Sequence, residues 1–119
     1  MLDSGVMPQE PLQITDAPGQ AEGQRVLHLA GPITLTNLFE LQDMLRADPS
    51  RVLVLEMSGV PYVDSAAIGV LVGAYVSRQK NSRILALAAV TERVRTTLHI
   101  TQVEQLFQFY PGVSEVPTA

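Results

Sequence analysis

Along the chain the hydrophobic residues change their spacing several times, and each change marks an element. Leu12 and Ile14 alternate with Gln13 and Thr15, and the cluster of Pro18, Gly19 and Gly23 predicts a turn into a second strand over Arg25–Ala30. In that strand Leu27 and Leu29 share one face, Val26, His28 and Ala30 share the other, and Gly31 and Pro32 stop it. These two strands are predicted to form a hairpin. From Thr34 the spacing becomes three and four. Leu35, Leu38, Leu41 or Met44, and Leu45 predict the inward stripe of an amphipathic helix, with Thr36, Asn37, Glu40, Gln42 and Asp43 outward and Asp48-Pro49 as the stop.

Val52–Met57 and Ile84–Ala89 are apolar nearly throughout, as strands covered on both faces are. Between them Ser65–Gln79 has the length of a helix, so strand, helix and strand make a βαβ unit with a right-handed crossover. A third helix is predicted over Thr91–Ile100, with Thr91 as N-cap and Val94, Leu98 and Ile100 inward. Leu106, Phe107 and Phe109 then suggest a short last strand. The fold class is therefore α/β: one mixed sheet of about five strands with helices mainly on one side. Residues 1–10 are expected to be a flexible lead-in, 11–112 the folded domain, and 113–119 a tail released by Pro111 and Gly112.

Composition narrows the function classes. A chain of 119 residues fits one core, and with 46% hydrophobic and only 17% charged residues it has enough apolar surface to fold alone. The net charge of −4 and a single lysine, Lys80, argue against direct DNA or RNA binding, which needs a basic footprint. Cysteine is absent, which removes disulfides and thiolate metal sites. No apolar run approaches the roughly 20 residues of a membrane helix, so no membrane insertion is expected. The N-terminus lacks a basic start followed by an apolar run, which makes the cytoplasm the expected location. His28 and His99 are far apart in sequence and no carboxylate cluster accompanies them, so neither a metal nor another cofactor is expected.

Residues 57 to 75, MSGVPYVDSAAIGVLVGAY, join the central strand to the second helix, the kind of corner where α/β proteins place ligands and partners. Asp64 directly precedes the helical period, so its carboxylate is placed to accept from free amides of the first turn, and Ser65 follows at the first helical position, facing solvent. Ala67, Ile68, Leu71, Val72, Tyr75 and Val76 form the expected core stripe. Ala66, Gly69, Gly73 and Ser77 fall on a separate line of small residues. Each mid-helix glycine costs about 1 kcal/mol relative to alanine, so something favours small size there: close packing on a neighbour, or a flat track for a partner. A hydrolase reading of Ser65 lacks G-x-S-x-G and a well-placed base, since only His28 and His99 are available, and no enzyme activity is expected.

MSGVPYVDSAAIGVLV resembles the signature of the STAS domain in bacterial anti-sigma-factor antagonists, where a Ser-Gly-Val turn leads into Asp-Ser-Ser/Thr-Gly-Leu-Gly. Ala66 stands where the family usually has a second hydroxyl and Ala67 where it has glycine, Ile68 replaces leucine, and Gly69 is retained. The resemblance implies a protein-interaction module with no catalysis of its own. Its serine after the aspartate, here Ser65, is phosphorylated by a partner kinase that is also the anti-sigma factor, and phosphorylation releases the complex. The implied contact surface is Ser58, Gly59, Tyr62, Asp64, Ser65, Ala66, Gly69 and Gly73. Apart from the resemblance, the polar helix-face residues Thr36, Asn37, Glu40 and Arg78 are candidate rim contacts, with ordinary solvated surface the commoner role for any one of them. The implied partners are an anti-sigma factor/serine-protein kinase and a serine phosphatase, the protein itself being a monomer or weak dimer. The resemblance equally implies an alternative, a non-catalytic scaffold subunit of a stress-sensing complex or of a lipid-transport machine.

Overall fold

The computed structural model describes residues 11–118; the predicted lead-in, residues 1–10, lies outside the described residues. The strands are β1 (Gln13–Pro18), β2 (Gln24–Ala30), β3 (Val52–Gly59), β4 (Ile84–Ala88) and β5 (Gln108–Tyr110), and the helices are α1 (Phe39–Ala47), α2 (Ser65–Lys80) and α3 (Glu92–Ile100). They form one sheet in the order β1-β2-β3-β4-β5, with β1 antiparallel to β2 and all other pairs parallel. The predicted hairpin and mixed sheet are both present.

Alternation along the strands sorts the core into two layers. Leu27 and Leu29 of β2, Leu53, Leu55 and Met57 of β3, and Leu85 and Leu87 of β4 face the helices. Leu41 and Leu45 of α1, Ala67, Ile68 and Leu71 of α2, and Val94 and Leu98 of α3 close over them, so all three helices share one side. The opposite layer is thinner: Val26, Val52, Val54, Ala86 and Ala88, with Val116 buried over them. The residues after Gly112, read as a tail from their turn composition, thus include a 3₁₀ turn at Val113–Glu115 and a valine that is only 3% exposed. Small alanines in β4 leave room on that face for the returning chain.

Three expectations are corrected. The first helix begins at Phe39 and not at Thr34. Asn37 folds the intervening residues into a turn, its Oδ1 accepting from Thr34 N (2.9 Å) and its Nδ2 donating to Pro32 O (2.8 Å). Leu35 consequently stands 59% exposed instead of inward. Val76, placed on the core stripe of α2, is 40% exposed, and Ile100, at the fraying end of α3, is 71% exposed. Tyr75 and Val72 do pack against the main core, and the Tyr75 ring meets Phe107 edge-on at 5.9 Å.

Candidate functional site

The corner between β3 and α2 is held from three directions. Gly59 ends β3 where the pairing with β2 shifts register between His28 and Ala30. A Cβ on Gly59 would lie 3.0 Å from Leu29 O and 3.1 Å from the Ala30 Cβ, so its missing side chain is accounted for inside the molecule. Val60, fully buried, accepts from the Thr91 hydroxyl (3.1 Å), which ties the start of α3 to the corner. Ile33 pairs with Val63 as an isolated parallel bridge, with Ile33 N donating to Tyr62 O and Asp64 N to Ile33 O, each at 3.2 Å. Tyr62 is half-buried beneath the Arg93 guanidinium, 5.0 Å above its ring.

Asp64 is the centre of this arrangement. Its backbone is extended, and its Oδ1 accepts from Ala67 N at 2.9 Å, the N-cap bond that the sequence predicts. Its Oδ2 accepts from Leu35 N, also at 2.9 Å, a bond across 29 residues that local spacing does not reveal. One carboxylate therefore pins both the start of α2 and the segment leading into α1. Ser65 follows as the first residue of α2, exposed, and its hydroxyl makes no hydrogen bond among the described residues. Ser58 is exposed at the end of β3, Ala66 is half-buried, and Ala67 is fully buried.

The line of small residues also has a clear setting. Among the described residues, nothing beyond the chain neighbours and the helix's own backbone lies within 4 Å of a Cβ built on Gly69 or Gly73, and both glycines are exposed. Close packing therefore does not explain them. Together with Val70, Ala74 and Ser77 they form one wall of a shallow groove of about 200 Å³, whose other wall is Gln42, Leu45 and Arg46 of α1.

The far end of α2 is built in the opposite way. Arg78, expected on an outer rim, is only 4% exposed and sits on Asp48, itself 2% exposed, with Nη1 3.0 Å from Oδ2. Arg78 Nε also donates to Ile84 O (3.1 Å), and Arg25 Nη1 reaches Asp48 Oδ1 at 2.9 Å. Ser50 and Asp16 complete the network through short contacts to Asp48 and Arg25. Burial pushes the Asp48 carboxyl up, but the hydrogen bonds from Ser50 and Arg25 and the charges of Arg78 and Arg25 outweigh it and hold it below the usual carboxylate range. For Arg78 burial prevails over the pull of Asp48 and lowers the guanidinium. The helix stop at Asp48 was legible in the sequence; the ion network was not, because its members come from three separated segments.

The histidines are spent elsewhere. His28 projects from the face of β2 opposite the helices, with Nδ1 3.5 Å from Glu56 Oε1. His99, in the last turn of α3, meets Glu104 at 3.0 Å. Neither is hydrogen-bonded to Ser65. Among the described residues no helix is long and apolar enough to cross a membrane.

What the arrangement offers is an exposed hydroxyl on a rigid corner beside an open groove. The model of the STAS domain matches residues 17–116. The chain belongs to the STAS domain family. An anti-sigma-B factor antagonist of Staphylococcus aureus is 27% identical to this STAS chain over 79 residues, covering 66% of it and 73% of the relative. Among solved structures, a candidate anti-sigma factor antagonist from Thermotoga maritima superposes with a TM-score of 0.76 at 20% identity, covering 86% of this chain and 89% of the other. An anti-sigma factor antagonist from Mycobacterium paratuberculosis does so with a TM-score of 0.72 at 23% identity, covering 87% and 90%. These two likenesses are of fold alone; the STAS assignment itself rests on the match over residues 17–116.

Proposed function

We propose that this STAS domain is an anti-sigma-factor antagonist that docks on an anti-sigma factor with serine-kinase activity and is released when that kinase phosphorylates Ser65. The observation that carries the reading is Ser65 itself: an exposed hydroxyl, without a hydrogen bond among the described residues, at the first position of the helix that Asp64 caps, in the segment that resembles the family's phosphorylation signature. The curated relative named above acts on sigma-B regulation, which supports the same role.

The chemistry is direct. The Ser65 oxygen attacks the γ-phosphorus of ATP bound to the partner, its proton passes to a base of the partner, and ADP leaves. To do this the partner must hold ATP phosphates against the corner, so the product phosphoserine faces the remaining phosphates of ADP as well as Asp64. Two added charges against one at about 5 Å repel by ~1.7 kcal/mol in bulk water, whereas the dipole of α2 returns only about 0.3 to 1 kcal/mol. A tenfold loss of affinity needs only about 1.4 kcal/mol, so release requires no refolding of the domain. A serine phosphatase would restore the docking form.

The test is affinity capture from the native cell with wild-type, Ser65→Ala and Ser65→Asp bait, with intact mass of the wild type. Wild type and Ser65→Ala should retain an ATP-binding anti-sigma factor, Ser65→Asp should lose it, and the wild type should carry one phosphate on Ser65. Equal capture by Ser65→Asp, or retention of only a membrane transporter subunit or a very large assembly, would overturn the reading.

A further inference from the structure

The chain carries eight lysine and arginine residues, and their places in the fold set what each can do. Arg25 and Arg78 are paired with Asp48, and Arg95 with Glu104. Arg51 and Arg83 precede β3 and β4, and Lys80 ends α2, so all three lie at the end of the sheet away from Ser65. Arg46 lies in the last turn of α1, about 10 Å along that helix from its start. Arg93 alone stands at the Ser65 end, exposed and without an ion pair among the described residues.

Two contacts hold it there. The Thr91 hydroxyl, which accepts from Val94 N as the cap of α3, donates to Val60 O at 3.1 Å and fixes the start of α3 against the corner. Two residues on, the Arg93 guanidinium lies 5.0 Å above the Tyr62 ring. Glu92, Arg95, Thr96 and His99 line another side of α3, and Val94 and Leu98 enter the core, so Arg93 is the side chain that α3 turns toward the corner. Tyr62 precedes Ser65 by three residues, which keeps their Cα atoms within about 11 Å of each other. The Asp64 carboxylate between them is already engaged by the amides of Ala67 and Leu35.

We propose that Arg93 is the domain's own receptor for a phosphate on Ser65: its guanidinium leaves the face of Tyr62 and takes two phosphate oxygens in a bidentate ion pair. This rests on the reading of Ser65 as the phosphorylated residue and adds what the domain does with the phosphate. An exposed cation over an aromatic ring is weakly held, whereas a guanidinium fork on a phosphate makes two charge-assisted hydrogen bonds, so the added group outcompetes the ring. The pair offsets the repulsion between the phosphate and Asp64, keeps the start of α2 in place, and frees the Tyr62 ring. The phosphorylated domain is then a folded state with its new charge held on its own surface, and α3 takes part in the switch although it carries none of the signature residues.

The test uses the full-length chain with phosphoserine encoded at position 65 during translation, so that no kinase is needed, and follows the phosphate by ³¹P NMR across its second ionisation, which lies near pH 6 for a free phosphoserine. At an ionic strength of about 0.15 M, where charges beyond roughly 8 Å are screened, the ionisation should fall about one pH unit lower in the otherwise wild-type chain than in Arg93→Gln. Arg93→Lys, which keeps the charge without the fork, should recover about half of that difference. Arg46→Gln removes the same charge from the far end of α1 and should titrate with the wild type. Asp64, Glu92, Glu40 and Asp43 are common to every variant, so the differences report the arginine alone. The Tyr62 ring resonances should move on phosphorylation in the wild type and stay in Arg93→Gln. Equal titration by wild type and Arg93→Gln would overturn the receptor, and so would a rise in Arg46→Gln as large as that in Arg93→Gln, which would show only a general field. Either result leaves the Ser65 switch standing, because failure of the switch is read separately, as equal partner capture by Ser65→Asp.

Discussion

The two ends of α2 are made from the same helix and do opposite things. At its C-terminal end Arg78 is buried against Asp48 and tied to Arg25, Ser50 and the start of β4, so that end joins three parts of the chain. At its N-terminal end Ser65 is exposed and unbonded among the described residues, and the helix face beyond it is opened by Gly69 and Gly73. Charges satisfied inside the protein make a site for stability; polar groups left for others make a site for contact. A buried pair is costly to break because the partner left behind stays desolvated, whereas an exposed hydroxyl costs the fold almost nothing to change.

The largest break in that comparison should come from Arg78→Ala, which leaves Asp48 with the Arg25 charge and the Ser50 hydrogen bonds. We expect a loss of about 3 kcal/mol in urea unfolding, at the low end for a broken buried pair, with partner binding by the folded fraction unchanged. Acid should act on the same end. The folded Asp48 carboxyl is held below its ordinary value of about 3.9, so its contribution is fully present above that value and is lost as pH falls through the folded one. The urea midpoint should therefore fall below about pH 4. Asp48→Asn should be less stable at neutral pH and show a flatter acid limb, with a residual slope from Asp16 and Glu104, which their cationic neighbours also hold low.

At the other end the effects should be smaller. Asp64→Ala removes the cap of α2 and the tether of Leu35 and should cost about 1 to 2 kcal/mol, with amide exchange rising in the first turn of α2 and at Leu35. Gly73→Ala should stabilise the domain by about 1 kcal/mol, since open space surrounds the position, and should weaken the partner complex if that groove is a contact track. Ser65→Asp should move stability by no more than about 0.5 kcal/mol while abolishing docking. A large destabilisation by Ser65→Asp, or a neutral Arg78→Ala, would erase the distinction between the two ends.

Much of the architecture was already legible in the chain, because hydrophobic period is a local property. The apolar runs of β3 and β4, the Thr91 and Asp64 caps, the hairpin and the one-sided helices each follow from residues within a few positions of one another. Ser65 at the start of α2 was legible for the same reason, and so was the signature that places the chain in the STAS family. Only the tertiary structure decided that Leu35 faces solvent, that Arg78 is buried, that Val116 covers the second sheet face, and that Asp64 serves two elements. In each case the deciding partner is remote: Asp64 for Leu35, Asp48 for Arg78, Val26 and Val54 for Val116. Spacing along a sequence reports which side of an element is apolar, but a hydrogen bond or ion pair between distant segments exists only once the sheet has brought them together.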